Sequence, residues 1–409
     1  MQRVLVPART FLRHRDLSVA LICSLLLGLA YSLIVPFFTL FGTMEVGMTP
    51  IVLSVFMTIT GVSTIAITTL LARWSDTHLS RRTVLLLGST CGALGYLGYA
   101  FVRDVVWLTV IGSTVVAVSG IIFAQLFAHA RELLERTDVP KAETPLYMNV
   151  IRLTFALAWT VGPAASSWLL VLYSYRGIFI AAASVFVVLF FVVLAFIPAR
   201  PPPAAVDVAA HVPLRRVLRR PDLLACFGGF VLVFAAAMLC MMNLPLFVMR
   251  TLAGTERHVG IIYSLAPVFE LPLMFYFGLL ASRGNQERVI RWGIALAVAY
   301  YAGLALVQAP WHIYSLQILS AATTAVTAGV AITFFQNYLP SQPGTATNLY
   351  ASAQRAGSTS GYLSFGFLTA AFGHRGVFVV CTILCAVTLA LFAYLAYRPL
   401  KTAAETPSS

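Results

Sequence analysis

The sequence predicts an all-α membrane protein of twelve transmembrane helices in two six-helix halves. Three observations carry this. Hydrophobic residues make up 60% of the 409-residue chain and charged residues only 10%, against about 25% charged in an ordinary soluble domain. Apolar stretches long enough to cross roughly 30 Å of hydrocarbon recur along nearly the whole length and leave no room for a large soluble domain. The basic residues, finally, fall almost entirely on one side of the resulting layout.

The first span, 17–42, follows Arg3, Arg9, Arg13 and Arg15. It is too long for a signal-peptide core and lacks a clear cleavage site, so it reads as an uncleaved helix. Spans at 50–72, 83–102 and 105–130 come next, with Gln125 near the end of the fourth. The fifth, 146–172, holds Asn149, Arg152 and Trp159; the last two are seven residues apart and share nearly one helical face. The sixth, 178–197, is apolar all round and should face lipid.

Residues 198–221 contain Pro201, Pro202 and Pro203, then Arg215, Arg216, Arg219 and Arg220. They read as a stiffened cytoplasmic linker between an N-terminal bundle, 1–197, and a C-terminal bundle, 222–409. Span 222–249 places Asn243 just before Pro245, a helix break where backbone groups could meet a ligand. Span 258–281 places Glu270 near the midplane, 289–308 follows, and 312–337 ends at Gln336. Span 345–371 carries Asn348, Ser352, Arg355, Thr359 and Tyr362 at three- and four-residue steps, a polar stripe expected to line a cavity. The last, 376–397, is apolar all round. The halves match at an offset of 209, pairing Pro36 with Pro245, Phe38 with Phe247, Ala72 with Ala281, Asp76 with Asn285 and Arg82 with Arg291. Two parallel repeats with a substrate site between them, lined by spans 1, 4, 5, 7, 8, 10 and 11, fit this pattern.

The net charge of +13 is explained by topology. With both termini inside, the tails and even-numbered connections hold 20 of the 27 Lys and Arg residues; the other side holds five, Arg103, Arg176, Arg250, Arg257 and Arg375. That asymmetry orients a protein in a bilayer and argues against nucleic acid as a partner. The six cysteines lie in apolar stretches without zinc or redox spacing, and the seven histidines form no ligand cluster. No metal, no cofactor and no catalytic residue is expected; without a nucleophile and base at membrane depth, an enzyme is not predicted.

After the second span, Ala72-Arg73-Trp74-Ser75-Asp76 followed by Arg81 and Arg82 resembles the cytoplasmic loop motif of the major facilitator superfamily, although its glycine is absent and the arginines sit about one place late. Asp76 would hold an arginine or a helix N-terminus in one conformation and release it in another, with simple loop anchoring as the alternative. In the fifth span, Trp159-Thr160-Val161-Gly162-Pro163 and the small residues Ala164 to Ser167 resemble that superfamily's antiporter motif, which packing alone also explains. A closer resemblance is to the bacterial sugar efflux transporter family. It rests on Gln125-Leu126-Phe127-Ala128 with Ala130-Arg131-Glu132, Arg152 with Ala156-Leu157-Ala158-Trp159 and Gly162-Pro163, Glu270-Leu271-Pro272, Phe335-Gln336, Leu339-Pro340, Gln342-Pro343-Gly344 and Ala346-Thr347. This implies a major facilitator fold and a proton-linked exporter of mono- or disaccharides and some glycosides. The expected setting is the bacterial cytoplasmic (inner) membrane, with the chain monomeric, both termini cytoplasmic, and protons, lipid and a small sugar as its partners. A multidrug exporter of the same superfamily and a non-transporting sensor or scaffold are the alternatives.

Within that reading Glu270 is the natural proton carrier. An ionisable group at membrane depth costs roughly 2.5–3.5 kcal/mol on insertion scales and needs a partner, water or a proton. A static ion pair, or a carboxyl kept protonated and bonded across helices, are the alternatives. Arg152 and Arg355 present fixed guanidinium donors suited to sugar hydroxyls or to Glu270, while Arg152 could instead snorkel to the cytoplasmic face. Trp159, unlike the other five tryptophans, is not near a span end, and is either a stacking plate for a sugar ring or ordinary packing. Gln125, Gln336, Asn149, Asn243, Asn348, Thr359 and Tyr362 complete the candidate substrate contacts.

Overall fold

The computed structural model describes residues 14–137, 140, 143–199, 221–339 and 342–397, except for the side chains of residues 73, 76, 77, 145, 343, 396 and 397. Arg3, Arg9, Arg13, most of the expected linker and the Asp76 side chain therefore lie outside the described residues.

Among the described residues, ten helices are long and apolar enough to cross a membrane. They are α1 (Arg15–Glu45), α2 (Pro50–His78), α3 (Arg81–Phe101), α4 (Val105–Glu135), α5 (Thr144–Phe196), α6 (Pro221–Thr251), α7 (Glu256–Arg283), α8 (Gln286–Leu306), α9 (His312–Tyr338) and α10 (Pro343–Tyr397). α5 and α10 run for 53 and 55 residues, more than twice the ~20 residues of one crossing. Each breaks at one residue outside helical geometry, Ser174 (φ 58°, ψ −169°) and Gly373 (φ 66°, ψ 175°). The expected gaps after 172 and 371 are thus reduced to single-residue corners.

Short polar residues set the helix starts. Thr49, Ser80, Asp104 and Asn285 each accept a hydrogen bond from a backbone N–H of the turn they open, and Pro50 follows Thr49 where no N–H is needed. Inside the spans, hydroxyls return to their own helix. Along α2, Thr60, Thr64 and Thr68 donate to the carbonyls four residues back, so a threonine-rich helix presents little unpaired polarity to hydrocarbon. Wide π-helical turns recur in matched places: at the ends of α1 (Phe41–Glu45) and α6 (Phe247–Thr251), and inside α4 (Gly112–Val116) and α9 (Ala325–Val330).

Small residues make the seams. α1 and the first part of α5 meet at Gly162, where a Cβ would overlap Ser32 Oγ and approach Ser32 Cβ to 2.6 Å. Ser32 donates to Ala158 O at 3.2 Å and Ser24 to Ile151 O at 2.7 Å along the same seam. α6 and α10 repeat the arrangement, with Gly357 2.6 Å, by its would-be Cβ, from Val231 O. The stretches 178–197 and 376–397, apolar all round and expected to face lipid, each expose one side and bury the other: Phe179, Phe186 and Val193 are buried while Val188 and Phe191 are exposed, and Phe378, Cys381 and Cys385 are buried while Ile383 and Val387 are exposed. Apolar side chains suit lipid and protein neighbours equally, so composition does not separate the two faces.

Two substitutions test these features. Ser174→Gly relieves a conformation reserved for glycine and should stabilise the protein by about 1–3 kcal/mol, read as a rise in thermal midpoint in detergent. Gly162→Ala should lower that midpoint through overpacking worth about 1–3 kcal/mol, and Ser32→Gly in the same chain should restore it.

Candidate functional site

The segment before residue 200 and the segment after residue 220 touch most closely at one end, that of the Ser174 and Gly373 corners. Two hydrogen bonds cross there. Ser54 Oγ of α2 accepts the Gly366 N–H of α10, and Ser264 Oγ of α7 accepts the Ala164 N–H of α5 at 3.1 Å. Glycines bring the backbones together: a Cβ on Gly366 would lie 2.6 Å from Ile51 Cα, and one on Gly260 would lie 2.8 Å from Pro163 O. Towards the other end Asn149, Arg152, Asn348 and Arg355 are all exposed. Arg152 and Trp159, like Arg355 and Tyr362, are seven residues apart on one helix face, and both aromatic rings line cavities between the segments. The arginines therefore project into a cleft that is closed at the corner end and open at the other.

At the base of this cleft lies a cavity of about 390 Å³. The N-terminal segment supplies Phe155, Ala156 and Trp159; α7 supplies Glu270 with Tyr263 and Pro267; α8 and α9 supply Tyr300, Gln317 and Thr323 among others. A second cavity of about 260 Å³ lies towards α1–α4 and is lined by Tyr31, Tyr96, Tyr99, Thr39, Gly61 and Tyr362 among others, with Met241 bordering both. Between them the cavities draw on α2, α3 and α8 as well as the helices expected.

Glu270 is thus half-buried and faces the centre of the molecule. Among the described residues the ion pairs are Arg81–Glu132, Arg103–Glu45 and Arg131–Glu135, so Glu270 is paired with neither Arg152 nor Arg355 in this conformation. Arg152 instead lies over the Phe127 ring, 5.8 Å from its centroid. Trp159 sits in the cavity wall, where a ring can offer a flat apolar face.

Other candidates are held elsewhere. Gln125 is buried in a network near the open end: Arg81 donates to Glu132 Oε1 at 3.1 Å and to Gln125 Oε1, and Gln125 Nε2 reaches Ser75 Oγ at 3.5 Å. Arg82 donates to Leu194 O at 2.7 Å. Gln336 donates to Thr347 Oγ1 at 3.1 Å, tying α9 to α10. Asn243 is fully buried and spends its amide on His374, donating to its carbonyl at 2.7 Å and lying 2.8 Å from its Nδ1. The helix does not unwind there, because the wide turn begins only at Phe247 and the Asn243 side chain fixes the Gly373 corner instead. Asn149 and Asn348 are exposed and Thr359 half-buried, all outside the lining of either cavity. Tyr300, Gln317 and Thr323 line the cavity as well and are not among the candidates drawn from the sequence, although Gln317, Ser320, Thr324 and Thr327 recur at three- and four-residue steps.

A family model described as Major Facilitator Superfamily matches residues 20–359. The chain is 33% identical over 380 residues to a protein of Deinococcus radiodurans, covering 92% of this chain and 96% of that one. It is 31% identical over 376 residues to Sugar efflux transporter A of Dickeya chrysanthemi, covering 91% and 94%. Among solved structures, that of nucleoside transporter NupG superposes with a TM-score of 0.78 at 14% identity over 94% of this chain and 100% of that one, a likeness of fold.

The cleft geometry is tested by cysteine labelling in a Cys91→Ser background, since Cys91 alone of the six thiols is only part-buried. Asn149→Cys and Asn348→Cys should react rapidly with a membrane-impermeant maleimide in detergent, whereas Ser54→Cys at the closed end should stay unlabelled; equal labelling of all three contradicts a one-ended cleft.

Proposed function

Because the chain belongs to the Major Facilitator Superfamily, a family of alternating-access transporters and not enzymes, we propose that it exports small sugars across the bacterial cytoplasmic membrane in exchange for protons. The observation that carries this reading is the position of Glu270, a carboxyl group lining the cavity between the two segments without an ion-pair partner among the described residues. The name of the Dickeya relative supports the cargo class.

In this proposal the chain crosses the membrane twelve times, with Ser174 and Gly373 as the corners of two helix pairs, and residues 1–197 and 222–409 as the two halves joined by 198–221. The open end faces the cytoplasm, since Arg81, Arg82, Arg131, Arg136, Arg283, Arg288 and Arg291 belong to connections there. Sugar enters from that side and lies beside Trp159. Rocking of the halves breaks the Ser54 and Ser264 bonds and closes the cytoplasmic mouth, drawing Arg152 and Arg355 inward towards Glu270. An ionised Glu270 attracts those guanidinium groups and a protonated one does not, so proton and sugar bias one two-state equilibrium. Asp76, Arg81 and Arg82 latch the cytoplasmic end, and the Gly162–Pro163 seam keeps α1 and α5 moving as one. The protein works as a monomer.

Proteoliposomes carrying a pH gradient and a panel of labelled mono- and disaccharides, with a lipophilic cation alongside, test the proposal. Wild type should accumulate a sugar against its gradient. Glu270→Gln should lose that gradient-driven accumulation by at least about tenfold, equivalent to 1.4 kcal/mol or more, while retaining sugar-for-sugar exchange. Full accumulation by Glu270→Gln sinks the coupling role, and transport of the cation without any sugar sinks the cargo assignment.

A further inference from the structure

α8 and α9 bring neutral polar groups to the wall of the central cavity. Gln317 is 2% exposed and Thr323 8% exposed, yet both line the cavity beside Tyr300 and Ser320. The Tyr300 hydroxyl lies beside the Gln317 amide and the Ser320 hydroxyl, with the Cys240 thiol 3.9 Å away. The Gln317 amide also reaches Ile313 O, at 3.4 Å near the limit of a hydrogen bond. A primary amide offers two donors and an acceptor oxygen with two lone pairs, more than these contacts use.

Thr323 carries the argument further. The ordinary fate of a threonine hydroxyl in a membrane helix is a bond to a carbonyl one turn back, and Thr327 makes one to Thr323 O at 2.9 Å. The Thr323 hydroxyl makes none: it is buried without a hydrogen-bond partner. An orphaned group of this kind is destabilising in an apolar setting; Thr323 lines the cavity two residues before the wide turn Ala325–Val330, with its hydroxyl oxygen shielded behind the wall. Its neighbours along the wall are the amide and hydroxyls of Gln317, Ser320 and Tyr300. The wall contributed by the N-terminal segment holds an indole, Trp159.

We propose that Gln317, Ser320, Thr323 and Tyr300 form the hydroxyl-recognition site of the cavity, taking adjacent hydroxyl groups of an uncharged polyol ring whose apolar face rests on Trp159. This rests on the sugar-export reading and specifies where the sugar is recognised: at neutral donors and acceptors on α8 and α9, and not at Arg152 and Arg355, which stand outside the cavity lining. Neutral groups suit such a ligand because each sugar hydroxyl both donates and accepts, whereas a guanidinium only donates. A turn of the Thr323 side chain about χ1 brings its shielded hydroxyl to the cavity, where bound sugar supplies the partner it lacks in the empty protein.

The test pairs affinity with stability in the purified full-length chain in detergent, using labelled glucose and labelled maltose by equilibrium dialysis and thermal unfolding of the same samples. Thr323→Val replaces the orphan hydroxyl by a methyl group of like size. It should leave the thermal midpoint unchanged or raise it, while weakening sugar binding about threefold to tenfold, the value of one neutral hydrogen bond. Thr327→Val, whose hydroxyl is already committed to its own helix, should change the Kd by less than about twofold on the same scale. A structural role for Thr323 predicts the reverse, a lower midpoint with unchanged affinity, and that result overturns the site. If wild type binds a sugar and Thr323→Val binds it equally well, the site is wrong while the export reading stands. If wild type binds neither sugar, both fall together.

Discussion

The rest of this structure depends on the cost of leaving a polar group unpaired in hydrocarbon. Water is absent from the bilayer core, so each hydroxyl, amide or charge on a span must bond within the protein or face a cavity. Most side chains take the first course. The threonines of α2 bond back along their own helix, the serines of α1 bond across to α5, and Asn243 is spent on the Gly373 corner. Against that background the exceptions stand out. Glu270 lines a central cavity and has no ion-pair partner among the described residues, while the hydroxyls of Thr39, Thr160, Thr323 and Thr369 are buried without a bond; Thr39 and Thr323 belong to cavity-lining residues, and Thr160 and Thr369 do not.

The same economy explains how two segments can separate at one end and hold at the other. Contacts within each segment are intimate and numerous in small residues, as at Ser32 with Gly162 and at Val231 with Gly357. Contacts between segments at the closed end use hydroxyl-to-backbone bonds from Ser54 and Ser264 and glycine approaches at Gly366 and Gly260. A neutral hydrogen bond of this type is worth about 0.5–1.5 kcal/mol net, small enough to be exchanged for contacts elsewhere. The seams inside each segment therefore act as rigid units and the seam between them as the place where states differ, which is the condition for a two-state rocking element.

Much of this was legible in the chain. Span positions follow from apolar length, and the close approach at Gly162 follows from the run of small residues beside Pro163. The inward aim of Glu270 and Trp159 follows from the expense of one and the mid-span position of the other. What was not legible has physical causes. Polar residues mark the breaks expected between 172 and 178 and between 371 and 376, but they do not say that each corner turns at a single positive-φ residue, one of them not glycine. Gln125 and Asn243 look like ligand groups in a string of letters, but Arg81 and His374 approach them only through tertiary packing. Gln317, Ser320, Thr324 and Thr327 do recur at three- and four-residue steps, but neutral groups that commonly bond back to their own helix do not by themselves mark a cavity wall.

The internal repeat gives the last step. The offset of 209 that pairs Pro36 with Pro245 also pairs residue 61 with residue 270, since 270 − 61 = 209. Gly61 lines the cavity towards α1–α4 and Glu270 lines its counterpart towards α6–α9. A repeated frame thus brings the same point of α2 and of α7 to a cavity wall, and the two copies differ in what they put there. A Cβ on Gly61 would stand 3.2 Å from the Tyr362 ring, so that position is filled by an aromatic group from the other segment. Its partner position keeps a carboxyl group. The lining of the α1–α4 cavity has no Asp, Glu, Lys or Arg at all. The two frames thus each carry a cavity, and the difference at this one position places a carboxyl group in the wall of the C-terminal one alone.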